Sequence, residues 1–122
     1  MAVELIRLGG LNFTKQLVFA YVTCERLYPN YIYFSENYNF GNPNALRNAI
    51  DYLYNNLFNN NLDKSEVNSF LVSVDKITPL PAKYDTVLAS SALDACGVVH
   101  ESLNFLLDRQ VSRLENISTM AT

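Results

Sequence analysis

Four prolines punctuate this chain, and between them apolar residues recur at spacings of three and four, a pattern that a helix buries on one face and a strand cannot. The clearest case begins at Asn42-Pro43, a cap followed by a first-turn proline, and carries Leu46, Ala49, Ile50, Leu53 and Leu57 on one face. Upstream, Asn12 or Thr14 caps a helix with Phe13, Leu17, Val18, Tyr21, Val22 and Tyr28 in register. Pro29 disfavours helical geometry at Tyr28, so this helix is expected to end there and bend into a short helix through Tyr31 and Phe34, stopping at Asn39-Phe40-Gly41.

Downstream, Asn59-Asn60-Asn61 reads as a turn, and Asp63 with Glu66 has capping-box-like spacing ahead of Val67, Phe70, Leu71, Val74 and Ile77. Thr78-Pro79-Leu80-Pro81 then breaks the chain before a long helix carrying Leu88, Ala92, Ala95, Val99, Leu103 and Leu106. Its Ala- and Ser-rich middle, with Gly97, lets neighbours approach closely, so it is expected at the centre. A last helix runs from Val111 to Thr122 and ends without a Gly, Pro or basic cap, which reads as a chain cut in mid-helix. The expected fold is all-α, a single compact bundle over residues 1–122 of about five to six helices, with the long central one near 85–107.

Composition narrows the function classes. The net charge of -3, with nine basic residues scattered from Arg7 to Arg113, offers no stripe for nucleic acid. No apolar run approaches the roughly 20 residues that span a bilayer, and Glu4 sits where a signal peptide wants a base, so a soluble cytoplasmic protein is expected. Cys24 and Cys96 lie within helical patterns rather than a Cys-x-x-Cys, which suits small buried hydrophobes better than metal ligands or a disulfide. His100 is the one histidine; its neighbour Glu101 points about 100° away around the helix, and Glu-x-x-His pairs are absent, so no metal and no cofactor are expected.

The run Cys24-Glu25-Arg26-Leu27-Tyr28-Pro29-Asn30-Tyr31, with Phe34, Phe40-Gly41 and Arg47, followed by Ala92-Leu93-Asp94-Ala95-Cys96, resembles the YjaG-like family, and the similarity spans roughly residues 12–120 in consistent order. That family is a bacterial group of cytosolic, all-helical proteins of unknown function, so the resemblance implies a helical fold but no activity, cofactor or catalytic residue. Its members run on with further helical sequence, which agrees with an open C-terminal edge here.

Two adjacent ions at the end of an apolar face are costly to bury unless partnered, which makes Glu25 and Arg26, with Arg47 and Asp94, a buried polar network or a site. Arg26 and Asp94 are expected to meet across helices. The arginines favour charge neutralisation that sets helix register; without them, two carboxylates in one core would form an acid–base pair. The leading functional expectation is protein interaction, in a regulatory or adaptor role, with a partner protein or a second copy. Its contacts would be Tyr33 and Tyr38 of the aromatic segment, or Leu114, Ile117 and Met120 of the C-terminal edge. The competing class is an enzyme or small-molecule binder with Glu25, Asp94 and Arg26 in an inter-helix pocket, and a third is an acidic, immunity-type inhibitor of a basic toxin.

Overall fold

The computed structural model describes residues 8–59 and 61–122. Its elements, among those residues, are five α-helices and a 3-10 turn, with no strand: α1 Phe13–Tyr38, α2 Pro43–Asn55, α3 Lys64–Ile77, the 3-10 turn Pro81–Lys83, α4 Val87–Asp108 and α5 Val111–Ala121. Each of the first four helices starts at a side-chain cap: Asn12 accepts from the Lys15 N–H, Asn42 from Ala45, Asp63 from Ser65 and Glu66, and Thr86 from Leu88. Asn60, the middle of the expected turn, lies outside the described residues.

α4 is the hub, packing against each of the other four helices. Its small face explains this: Ala89, Ala92, Ala95, Cys96 and Val99 are all buried, so backbones come close on several sides. Gly97 serves the same close approach, since a Cβ there would meet Met120 Sδ at 2.7 Å. Among the described residues, twenty-five buried apolar ones form one contiguous core through Leu17, Phe34, Leu46, Val74, Leu103 and Leu114, among others, so every helix contributes to a common interior. Among the described residues no helix is long and apolar enough to cross a membrane.

Two expectations are corrected. The chain does not bend into a new helix at Pro29; α1 continues through it for 26 residues. Pro29 removes one ladder hydrogen bond, but Tyr31 and Phe34 just beyond it have no exposed surface. Holding two such side chains in the core is worth about 2 kcal/mol each, which outweighs the local preference. Nor is the C-terminal edge open: Leu114 and Ile117 are fully buried, and Met120 is half-buried over Gly97. The small face of α4 accepts α5 closely enough to close that side.

The α1–α2 junction is fixed by a single hydroxyl. Asn39 and Gly41 both take positive φ, 49° and 81°, to turn the chain, and the Tyr31 hydroxyl lies against Gly41. That hydroxyl donates to the Ile77 carbonyl at 2.7 Å and accepts the Asn42 N–H at 3.2 Å. It therefore ties α1, the start of α2 and the end of α3 together. Around it, Phe34 stacks on Tyr38 with centroids 5.0 Å apart and meets Phe40 and Tyr84 edge-on at 5.9 and 5.2 Å.

Candidate functional site

The strongest polar constellation lies between α1 and α2. Helical spacing builds it, with Tyr21 one turn before Glu25 on α1 and Arg47 one turn before Asp51 on α2. Arg47 grips Glu25 with both ends of its fork, Nη1 to Oε1 at 2.8 Å and Nη2 to Oε2 at 2.7 Å, and its Nε donates to Asp51 Oδ1 at 3.1 Å. The Tyr21 hydroxyl donates to Glu25 Oε2 at 2.6 Å, and the guanidinium sits 4.8 Å from the Tyr28 ring centroid. Tyr28 in turn donates to the Pro43 carbonyl at 3.0 Å, so the cluster closes on the helix that supplied the arginine.

This arrangement holds charge rather than moving protons. The Arg47 guanidinium keeps the Glu25 carboxyl below its usual range, and the acceptance of its proton by Glu25 pushes the Tyr21 phenol up to about 12. Near neutral pH, Glu25 is a carboxylate with both oxygens engaged and Tyr21 a phenol, so neither serves as a general acid or base poised for turnover. Because the folded state depresses the Glu25 pKa, the stabilisation is present above the ordinary glutamate range and is lost as pH falls below it. Urea denaturation across pH 3 to 6, taken as an approximate window from that range, is expected to show an acid-side decline that shrinks in Glu25→Gln.

The four expected network residues divide. Glu25 and Arg47 come together, both partly exposed. Arg26 does not join them: it is exposed, and its Nη2 donates to the Ala121 carbonyl at 3.4 Å. Asp94 is half-buried on α4 with its carboxyl pushed up by burial, and among the described residues it has no hydrogen bond or ion pair, so the expected Arg26–Asp94 contact is absent. Among the described residues the carboxylate that shares a partner with Glu25 is Asp51, not Asp94, and Arg47 lies on both, which is not the expected acid–base pair.

The sequence reading missed two further polar clusters between helices. Arg113 on α5 binds Asp108 at 3.0 Å and Glu101 at 3.3 Å, and Asn116 adds a donor to Glu101, which pins α5 to the end of α4. His100 Nε2 faces Asp75 Oδ1 at 3.2 Å, joining α4 to α3, while Asn104 donates to its Nδ1. The signal for the second lay in no local spacing, since His100 and Asp75 are on different helices. Among the described residues no group of His, Cys, Asp and Glu could hold a metal ion.

The cysteines are packing residues. Both are buried and free, and burial pushes each thiol up to about 12. Ser102 commits its proton to the Val98 carbonyl at 2.6 Å, so the Cys24 thiol donates to Ser102 Oγ at 3.4 Å. A neutral, donating thiol is not a nucleophile.

The outer face of α1 is different in kind. Val18, Val22 and Tyr33 are 37%, 54% and 57% exposed and share one stripe with Arg26 and Pro29. Tyr38, 39% exposed, is engaged within the fold, its ring packed on Phe34 and, at 5.3 Å, on Tyr84.

Comparison with known proteins agrees with the helical reading. The sequence profile of the DUF416 family, described as a protein of unknown function, matches residues 5–122. Uncharacterized protein YjaG of Salmonella typhimurium is 29% identical over 101 residues, which is 81% of this chain and 50% of that protein. Its Escherichia coli counterpart is 29% identical over 98 residues, 79% of this chain and 48% of that protein. The crystal structure of a DUF416 family protein from Shewanella baltica superposes with a TM-score of 0.87 at 28% identity, covering 95% of this chain and 59% of that one. The chain thus spans about half the length of the curated relatives it matches.

Proposed function

This chain belongs to the DUF416 family, and we propose that it works by binding another protein through the outer stripe of α1, in a regulatory or adaptor role in the cytoplasm. The observation that carries this reading is the stripe itself: Val18, Val22 and Tyr33 expose apolar surface in line along one helix, with Arg26 between them. An apolar stripe crossed by an arginine and ended by a tyrosine has the make-up of an interface core with its orienting charge.

Two further features favour binding over chemistry. Glu25 and Arg47 are spent on each other, and Asp94 stands alone, so the pocket imagined for catalysis lacks its pieces. Five of the twelve acidic residues, Glu25, Asp51, Asp75, Glu101 and Asp108, face internal basic side chains, and a net charge of only -3 is a weak attraction for a basic toxin. The two buried, protonated thiols suit a reducing compartment.

The test is comparative purification. Protein isolated gently from its native host is expected to carry a stoichiometric second polypeptide in native mass spectrometry, and Val22→Asp and Tyr33→Asp each to lower its occupancy about tenfold or more. Val72→Asp, at a valine 53% exposed on α3, is expected to retain it. A second polypeptide held equally by all variants, or absent from the wild type, overturns the proposal; a second copy of this chain lost in the same two variants makes the partner the protein itself.

A further inference from the structure

A cleft of about 430 Å³ opens between the start of α1 and the turn after α2, lined by Phe13, Leu57, Phe58, Asn59 and Arg109 among others. It shares no residue with the α1 stripe, and its size is within the range that takes small molecules. A column of flat groups runs into it from the core. Phe105, fully buried, stacks on Phe13 with centroids 5.3 Å apart, and the Arg109 guanidinium lies over the Phe13 ring, 3.8 Å from its centroid. Phe58, 81% exposed, stands among the same lining residues.

Arg109 is unlike the other well-placed arginines of this protein. Arg47 and Arg113 are each engaged by two carboxylates, whereas among the described residues nothing hydrogen-bonds or ion-pairs with the Arg109 guanidinium. The ring beneath holds its position, and a guanidinium over an aromatic face keeps N–H donors free for a carboxylate, which it takes through two parallel bonds. Among the described lining residues it is the one cation, which suits a single negative charge better than a doubly charged phosphate.

We propose that this cleft binds a flat aromatic monocarboxylate, its carboxylate on the edge of Arg109 and its ring system against Phe58 and the outer end of the column. The ring gains from burial and aromatic contact, while the charge-assisted pair sets orientation. The site thereby distinguishes a planar acid from a planar neutral molecule of the same size.

The experiment is an amide-resolved NMR titration with naphthoate as probe, run beside naphthylmethanol as its neutral counterpart and phenyl phosphate as the doubly charged one. Naphthoate is expected to shift resonances of Phe13, Phe58 and Arg109 saturably, and the neutral alcohol to bind about tenfold or more weakly. Arg109→Gly is the decisive variant: φ is 53° at this position, where glycine is unstrained, so the fold survives while affinity falls about tenfold or more. Phe58→Ala is expected to weaken binding by roughly threefold to tenfold. The proposal is overturned if naphthoate at about 10 mM shifts nothing in the cleft, if Arg109→Gly binds it as well as the wild type, or if the alcohol or the phosphate binds equally or better.

Discussion

Gly41→Ala is expected to lower unfolding stability by about 3–4 kcal/mol, and with it the melting temperature by roughly 10–15 °C. Two effects combine. A φ of 81° is strained for any residue with a Cβ, at about 1–2 kcal/mol. The added Cβ would also overlap the Tyr31 hydroxyl, and that hydroxyl has nowhere else to go without giving up the Ile77 carbonyl and the Asn42 N–H. Leaving those groups unpaired adds about 1–3 kcal/mol. The two effects separate in a double-mutant cycle: in a Tyr31→Phe background the overlap with the hydroxyl is gone and only the ring Cζ, 3.0 Å from the new Cβ, still has to give, so Gly41→Ala should cost less, close to the about 1–2 kcal/mol of the backbone strain. Full additivity of the two substitutions would show that the hydroxyl and the glycine are not coupled.

Pro29→Ala is expected to act in the opposite direction, raising stability by about 2–2.5 kcal/mol. Inside a helix, proline is about 3 kcal/mol less favourable than alanine, and part of this is offset because proline also stiffens the unfolded chain by about 0.4–1 kcal/mol. Pro29 lies on the exposed face of a helix that already continues through it, so alanine restores a hydrogen bond without leaving a cavity. Thermal unfolding followed by circular dichroism reads this directly. A loss of stability would mean that Pro29 sets an angle the bundle needs, and that uninterrupted packing of Tyr31 and Phe34 is not what carries α1 past it.

The same residue marks the boundary of what the sequence makes legible. The capping side chains Asn12, Asn42 and Asp63 could be read because each acts on backbone within three residues of itself. The long helix and its central place followed from its small-residue face. Pro29 misleads because its local preference points one way and the burial of Tyr31 and Phe34, set by helices far along the chain, points the other. Leu114 and Ile117 mislead similarly: the pattern shows that α5 has an apolar face, but not that α4 covers it.

Within the polar cluster, Glu25 and Arg47 were identifiable as charges on apolar-patterned helices, and Asp51 could have been added from its position one turn after Arg47. Arg26 fails for a geometric reason. Successive residues on a helix point about 100° apart, so turning Glu25 toward α2 turns Arg26 toward α5, where it finds the Ala121 carbonyl. Asp94 is set by α4 alone, and nothing in its spacing tells which helix leaves it unpartnered.

The central claim is that the Glu25–Arg47 pair is a structural clip between α1 and α2, which leaves the outer face of α1 as the working surface. The most direct measurement is the unfolding free energy of Glu25→Gln against the wild type at neutral pH. A clip predicts a loss of about 0.5–1.5 kcal/mol, modest because both side chains are roughly one-third exposed, at 34% and 29%. Unchanged or increased stability would contradict the claim, since a charge that can be removed at no loss is being held for something other than the fold.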